Sequence, residues 1–135
     1  MQDRPGPGEL VKAVTAFLRD TVRPLTAGRV TFETRVAINV LELVARELAG
    51  AAKTHAAERE RLEGLLGRTG PLSDLNRELC RRIADGSIAA SDERLLGHLW
   101  ATTMEKLAVD QPSYAAFREE LQKMKGSEHG LRPSA

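Results

Sequence analysis

Cysteine is nearly missing from this chain. Cys80 is the single one in 135 residues, so neither an intramolecular disulfide nor a thiolate metal cluster can form. Aromatic residues are almost as scarce, with three Phe, one Tyr and one Trp. A core made from such a sequence has to be aliphatic, and the aromatic platforms that stack single-stranded nucleic acid are absent. An excess of charge is lacking too: 20 Lys and Arg stand against 19 Asp and Glu, a formal net charge of +1. The signs are interleaved, so no basic stripe is laid out for a phosphate backbone. The densest basic spot is Arg77, Arg81 and Arg82. No segment approaches the ~20 apolar residues of a membrane span. Met1 to Gly8 is polar and turn-rich rather than a charged start followed by an apolar run. Neither nucleic acid nor a membrane is therefore expected as a partner, and the expected location is the cytoplasm.

What remains is ordinary globular material, 41% hydrophobic and 29% charged. A chain of this length supports one domain that buries roughly 65–70% of its unfolded surface. Residues 1–125 are assigned to a single helical domain and 126–135 to a flexible, Gly- and Ser-containing tail.

The periodicity is helical throughout, with no alternating strand pattern and no internal repeat. Asp3 to Gly8 is read as a non-helical lead-in, followed by a helix from Glu9 to Thr21 that carries Leu10, Val11, Val14, Phe17 and Leu18 and stops at Pro24. A second helix, capped by Thr31, runs to Ala49. At about 100° per residue its apolar side chains cover more than half the circumference, and Arg35, Asn39, Glu42 and Arg46 form one narrow polar stripe. Such a helix is expected at the centre of a bundle. Gly50 is expected to break the chain, with a bend within one longer helix as the alternative. Ala51 to Leu66 is alanine-rich and charged and is placed on the outside. Leu72, Leu75, Leu79 and Ile83 mark a helix closed by Gly86. A further helix runs from Glu93 to Val109, capped by Ser91 or Asp92, with Leu96, Leu99, Trp100, Thr103 and Leu107 facing the core. A last helix bears Tyr114, Phe117, Leu121 and Met124. The expected fold is all-α, a bundle of five or six helices around the apolar helix 31–49.

Chemistry is hard to find in these helices. A di-iron bundle needs Glu-x-x-His, and none of His55, His98 and His129 has an acid three places before it. The zinc pattern His-Glu-x-x-His is absent as well. Gly64 to Gly70 is glycine-rich but follows a helix, precedes Pro71 and contains no Lys, so it is a loop rather than a phosphate cradle. Cys80 lies beside Arg77 and Arg81, borders the Leu79–Ile83 face, and is assigned as an apolar filler. No nucleophile elbow occurs. No catalytic residue, metal ligand or cofactor site is assigned. Two polar sets stand out. The stripe Arg35, Asn39, Glu42 and Arg46 is either a solvated edge with a Glu42–Arg46 pair or a face turned to a partner. His98, Thr102 and Glu105 are placed on the outer face of the fifth helix. Thr103 falls in the apolar arc, where its hydroxyl can bond the carbonyl of Leu99.

Four stretches together carry a resemblance: Met1 to Pro5 leading into an amphipathic helix, Arg35 to Leu48, Leu75 to Ile83, and Leu96 to Tyr114. Over about residues 1–118 the chain resembles a bacterial family of small proteins of unknown function. The genes of that family lie beside aminoglycoside-phosphotransferase-like kinases and acyl-CoA dehydrogenases. The resemblance implies a companion subunit for a kinase that phosphorylates hydroxyacyl-CoA thioesters, as in levulinate-type catabolism. It also implies that the nucleotide and thioester sites belong to the kinase, with an acyl-CoA dehydrogenase in the same pathway. The positions matching the family's polar signature are Arg35, Asn39, Thr102, Thr103, Lys106 and Asp110, while Trp100 replaces a smaller or basic residue of the family pattern. Partner contacts are therefore assigned to Arg35, Asn39, Glu42, Arg46, Thr102, Lys106 and Asp110, and homo-oligomerisation is left open. The alternatives are a stand-alone module binding acyl-CoA or another small molecule in a cleft near His98 and Glu105 and, behind it, a DNA-binding regulator using the helix pair around Gly86 with Arg77, Arg81 and Arg82.

Overall fold

The computed structural model describes residues 4–129, with side chains described through residue 126. Among the described residues there are five α-helices and no strand, so the fold is all-α. They are α1 (Pro7–Phe17), α2 (Gly28–Leu66), α3 (Leu72–Ala84), α4 (Glu93–Asp110) and α5 (Ala115–His129). The chain divides into two compact units between Ala56 and Ala57.

The helix ends follow from local chemistry. Helix α1 begins two residues earlier than Glu9, with Gly6 as N-cap and Pro7 in the first turn. Proline is tolerated there because its missing N–H would have had no partner in any case. The Gly6 amide donates to the Glu9 carboxylate at 2.8 Å. Helix α1 ends at Phe17 rather than Thr21, and a π-turn (Leu18–Val22) and a 3₁₀ turn (Arg23–Leu25) that contains Pro24 follow it. Helix α2 starts at Gly28 rather than Thr31, and the Thr31 hydroxyl instead donates to that of Thr26 at 3.1 Å. Gly50 does not break it. The helix is continuous over 39 residues, because one glycine costs only about 1 kcal/mol in a helix interior. Gly86, at φ 76°, ends α3 in the left-handed conformation expected of it. Asp92 is the cap of α4, its carboxylate accepting from the Arg94 and Leu95 amides at 2.8 and 3.1 Å. Helix α5 continues through Gly126 to His129, so the expected tail is helical at its start, and its remainder, 130–135, lies outside the described residues.

The second unit holds the core. Leu62, Leu65 and Leu66 from the end of α2 meet Leu75 and Leu79 of α3 and Leu95 of α4, with Leu72 and Ile88 packed against them. This reverses the expected layering, since the alanine-rich half of α2 supplies the core. Its three leucines are buried, Leu62 completely, because α3 and α4 converge on them. In the first unit, by contrast, Ile38 is the one buried apolar side chain among the described residues. Phe32, Val36, Val40, Leu43, Val44 and Leu48 are exposed on the same helix, so the apolar arc of residues 31–49 is open rather than enclosed. No helix is long and apolar enough to cross a membrane among the described residues.

Candidate functional site

In the second unit the buried face of α4 is the polar one. Leu95 and His98 are buried while Leu96, Leu99, Trp100 and Thr103 are exposed, which turns the expected core face outward. The reason is register: Leu95 follows the Asp92 cap directly into the leucine core, and at about 100° per residue His98, Thr102 and Glu105 share its side. His98 is only 4% exposed. Glu105 is gripped by Arg61 of α2 through two parallel bonds, 2.9 Å from Nη1 and 2.7 Å from Nη2. One turn away the Asn76 amide donates to Glu58 at 2.9 Å. Three buried polar atoms in this cluster, Arg61 Nε, His98 Nδ1 and Thr102 Oγ1, have no hydrogen-bond partner. Sequence reasoning does not single out Arg61 and Asn76, and it notes Glu58 only as the solvated partner of His55. The available signal was that Arg61 shares a helical arc with Leu62 and Leu65.

Burial holds the His98 pKa below its ordinary value, and Arg61 pushes it the same way, against weaker pulls from Glu58 and Glu105. The folded state therefore favours the neutral imidazole, while the unfolded chain takes up a proton near pH 6.5. The stabilising contribution is complete above that pH and is lost as the pH falls through the depressed folded value. Unfolding titrations should show stability level above about pH 6.5 and declining below it. His98→Gln should flatten that slope. An unchanged slope in the variant would assign the acid sensitivity to other groups.

The partner-contact candidates fall into three environments. Arg35 and Asn39 are exposed on α2. Glu42 is half-buried and paired with Arg19, which comes from the turn after α1. Glu42 and Arg46 line a groove of about 300 Å³ with Lys12, Thr15, Arg19 and Ala45. Thr15 is buried, its hydroxyl donating to the Val11 carbonyl at 2.7 Å. On α4, Thr102 faces inward, whereas Thr103, Lys106 and Asp110 lie on the exposed side. The Thr103 hydroxyl donates to the Leu99 carbonyl at 2.8 Å, but the residue is exposed rather than buried in an apolar arc. These three share the outer face of α4 with Leu96, Leu99 and Trp100, the indole being 52% exposed.

The basic spot on α3 is neutralised within its own helix. Arg77 meets Asp74 at 3.1 Å, Arg81 meets Glu78 at 2.8 Å and Asp85 at 2.6 Å, and Arg82 meets Glu78 at 2.7 Å. The two guanidinium hydrogen bonds, Arg81 first, hold the Glu78 carboxyl at about 2. The adjoining hollow of about 390 Å³, lined by Arg68, Asp74, Arg77, Glu78 and Arg81, mixes both signs. Cys80 is exposed and so is not a core filler. Among the described residues no group of three or more His, Cys, Asp or Glu is placed to hold a metal ion.

Fold and site together define an all-α protein with an internal polar cluster and open apolar helix faces. Residues 24–114 match a family described as a domain of unknown function (DUF6285), and the chain belongs to that family. No curated protein and no solved structure matches it.

Proposed function

We propose that the chain is a non-catalytic accessory subunit that binds an aminoglycoside-phosphotransferase-like hydroxyacyl-CoA kinase and stabilises or activates it. Membership of a family of unknown function is consistent with this reading, and the resemblance of the four sequence stretches suggests the kinase. The carrying observation is the open outer face of α4, where Leu96, Leu99 and a half-exposed Trp100 are bordered by Thr103, Lys106 and Asp110. Exposed apolar patches with a polar rim mark protein interfaces, and tryptophan is the residue most often found at their energetic centre. A stable complex should bury at least ~1,000 Å² in total.

The test is ATP-dependent phosphorylation of a 4-hydroxyacyl-CoA by the kinase, with and without this chain, together with co-elution of the two. Turnover should depend on the added chain. Trp100→Ala should weaken the complex by about thirtyfold while the helical circular dichroism is retained. Full activity of the kinase alone, with no co-elution, would sink the proposal.

A second reading, a module that binds acyl-CoA or another small molecule, is favoured by the groove where Lys12 lies beside the Arg19–Glu42 pair and Arg46. It requires thermal stabilisation by acyl-CoAs or nucleotides, lost in Lys12→Glu. A flat response across such a panel excludes it.

A further inference from the structure

The open arc of α2 in the first unit has an order that the outer face of α4 lacks. Arg29, Glu33, Val36, Val40, Leu43 and Glu47 follow one another at alternating intervals of four and three residues, the spacing that places side chains along one seam between paired helices. Val36, Val40 and Leu43 are exposed at its middle, with Phe32, 67% exposed, and Val44 on its flanks. Ile38 is buried on the opposite side of the helix, so the seam is not the surface that closes this unit's own interior.

The seam is also symmetric about Ile38 except at one pair: Glu33, five residues before it, stands where Leu43 stands five after, so the two face each other across an antiparallel pair. Val36 and Val40 stand two residues before and after it, Phe32 and Val44 six, and Arg29 and Glu47 nine. A two-fold interface requires a surface that complements itself, residue i meeting residue j and residue j meeting residue i. In an antiparallel pair of α2 helices, Val36 meets Val40 of the second copy and Phe32 meets its Val44. At both ends Arg29 meets Glu47 of the second copy. A parallel pair would set Glu33 against Glu33 and Glu47 against Glu47, which like-charge repulsion disfavours. Arg29 is already oriented on this side by its 2.6 Å bond to Glu33.

We propose that two copies of this chain pair through this face of α2, antiparallel across a two-fold axis that passes opposite Ile38. The contact covers the apolar arc that a single copy leaves in water. It uses a different unit from the α4 face and does not depend on the identity of the kinase.

Light scattering on the full chain during size exclusion tests this directly. The unaltered chain should run as a dimer of the 14.8 kDa protomer. Val40→Glu, at an exposed position, should raise the dissociation constant about a hundredfold with the helical circular dichroism unchanged. Arg29→Glu or Glu47→Arg alone should weaken pairing about tenfold, and the two combined should restore it to within about threefold of the original. That recovery is the signature of the antiparallel register. Three results would each overturn the proposal: a monomer at ~100 μM, a dimer that Val40→Glu leaves intact, or a charge swap without recovery. A chain that is monomeric alone, but whose kinase complex is broken by Val40→Glu, would assign this face to the kinase instead.

Discussion

Leu62→Ala is expected to lower the free energy of unfolding by about 3 kcal/mol. Leu62 is fully buried, and its neighbours Leu65, Leu66, Leu75, Leu79 and Leu95 come from three helices. Such a site cannot collapse around a smaller side chain without moving a helix, so most of the removed volume remains as a cavity. The same change at Leu99, on the exposed side of α4, should cost less than about 1 kcal/mol. Denaturant titrations of the two variants compare these positions directly. The order of the two costs separates the observed core from the one that periodicity alone predicts, which would make Leu99 the more expensive loss. Equal costs would mean that α4 sits in a different rotation.

Glu105→Ala is the second large effect, expected at about 2 kcal/mol. Each side chain of the Arg61–Glu105 pair is 26% exposed, and the pair is bidentate. Removing the carboxylate leaves the guanidinium half-buried beside His98 with its Nε already unpartnered. The cost is then mainly that of an uncompensated charge rather than the net worth of the pair. Glu105→Ala also removes one of the two groups that pull the His98 pKa upward, so the acid-side loss of stability should extend to lower pH. A double-mutant cycle with Arg61→Met isolates the coupling. If Glu105→Ala and the double variant are equally destabilised, the buried guanidinium is not the source of the cost.

The helices themselves were legible because their signals are local. The Asp92 cap and the left-handed Gly86 each depend on a few adjacent residues, and the structure has both, whereas α1 ends at Phe17 and Pro24 lies inside a 3₁₀ turn. Faces were harder to read. On α4, two arcs compete: Leu96, Leu99, Trp100 and Leu107 are the more apolar, yet Leu95, His98, Thr102 and Glu105 point inward. Hydropathy favours the first arc. The second wins because Arg61 meets Glu105 and the leucines of α2 and α3 meet Leu95, and these contacts join residues far apart in the chain. For the same reason the role of Arg61 is not local: its carboxylate partner lies 44 residues away.

The sequence by itself determined the all-α class, the ends of α3 and α4, the near balance of charge and the lack of a cysteine cluster. These rest on backbone conformation and composition, which act within a few residues. Only the tertiary structure decided which arc of each helix is covered. That choice depends on which side chains other helices bring to it, and a helix that is apolar on two sides can bury only the side that meets a neighbour. On α2 the buried side is that of Ile38, while Phe32, Val36, Val40, Leu43 and Val44 are exposed among the described residues.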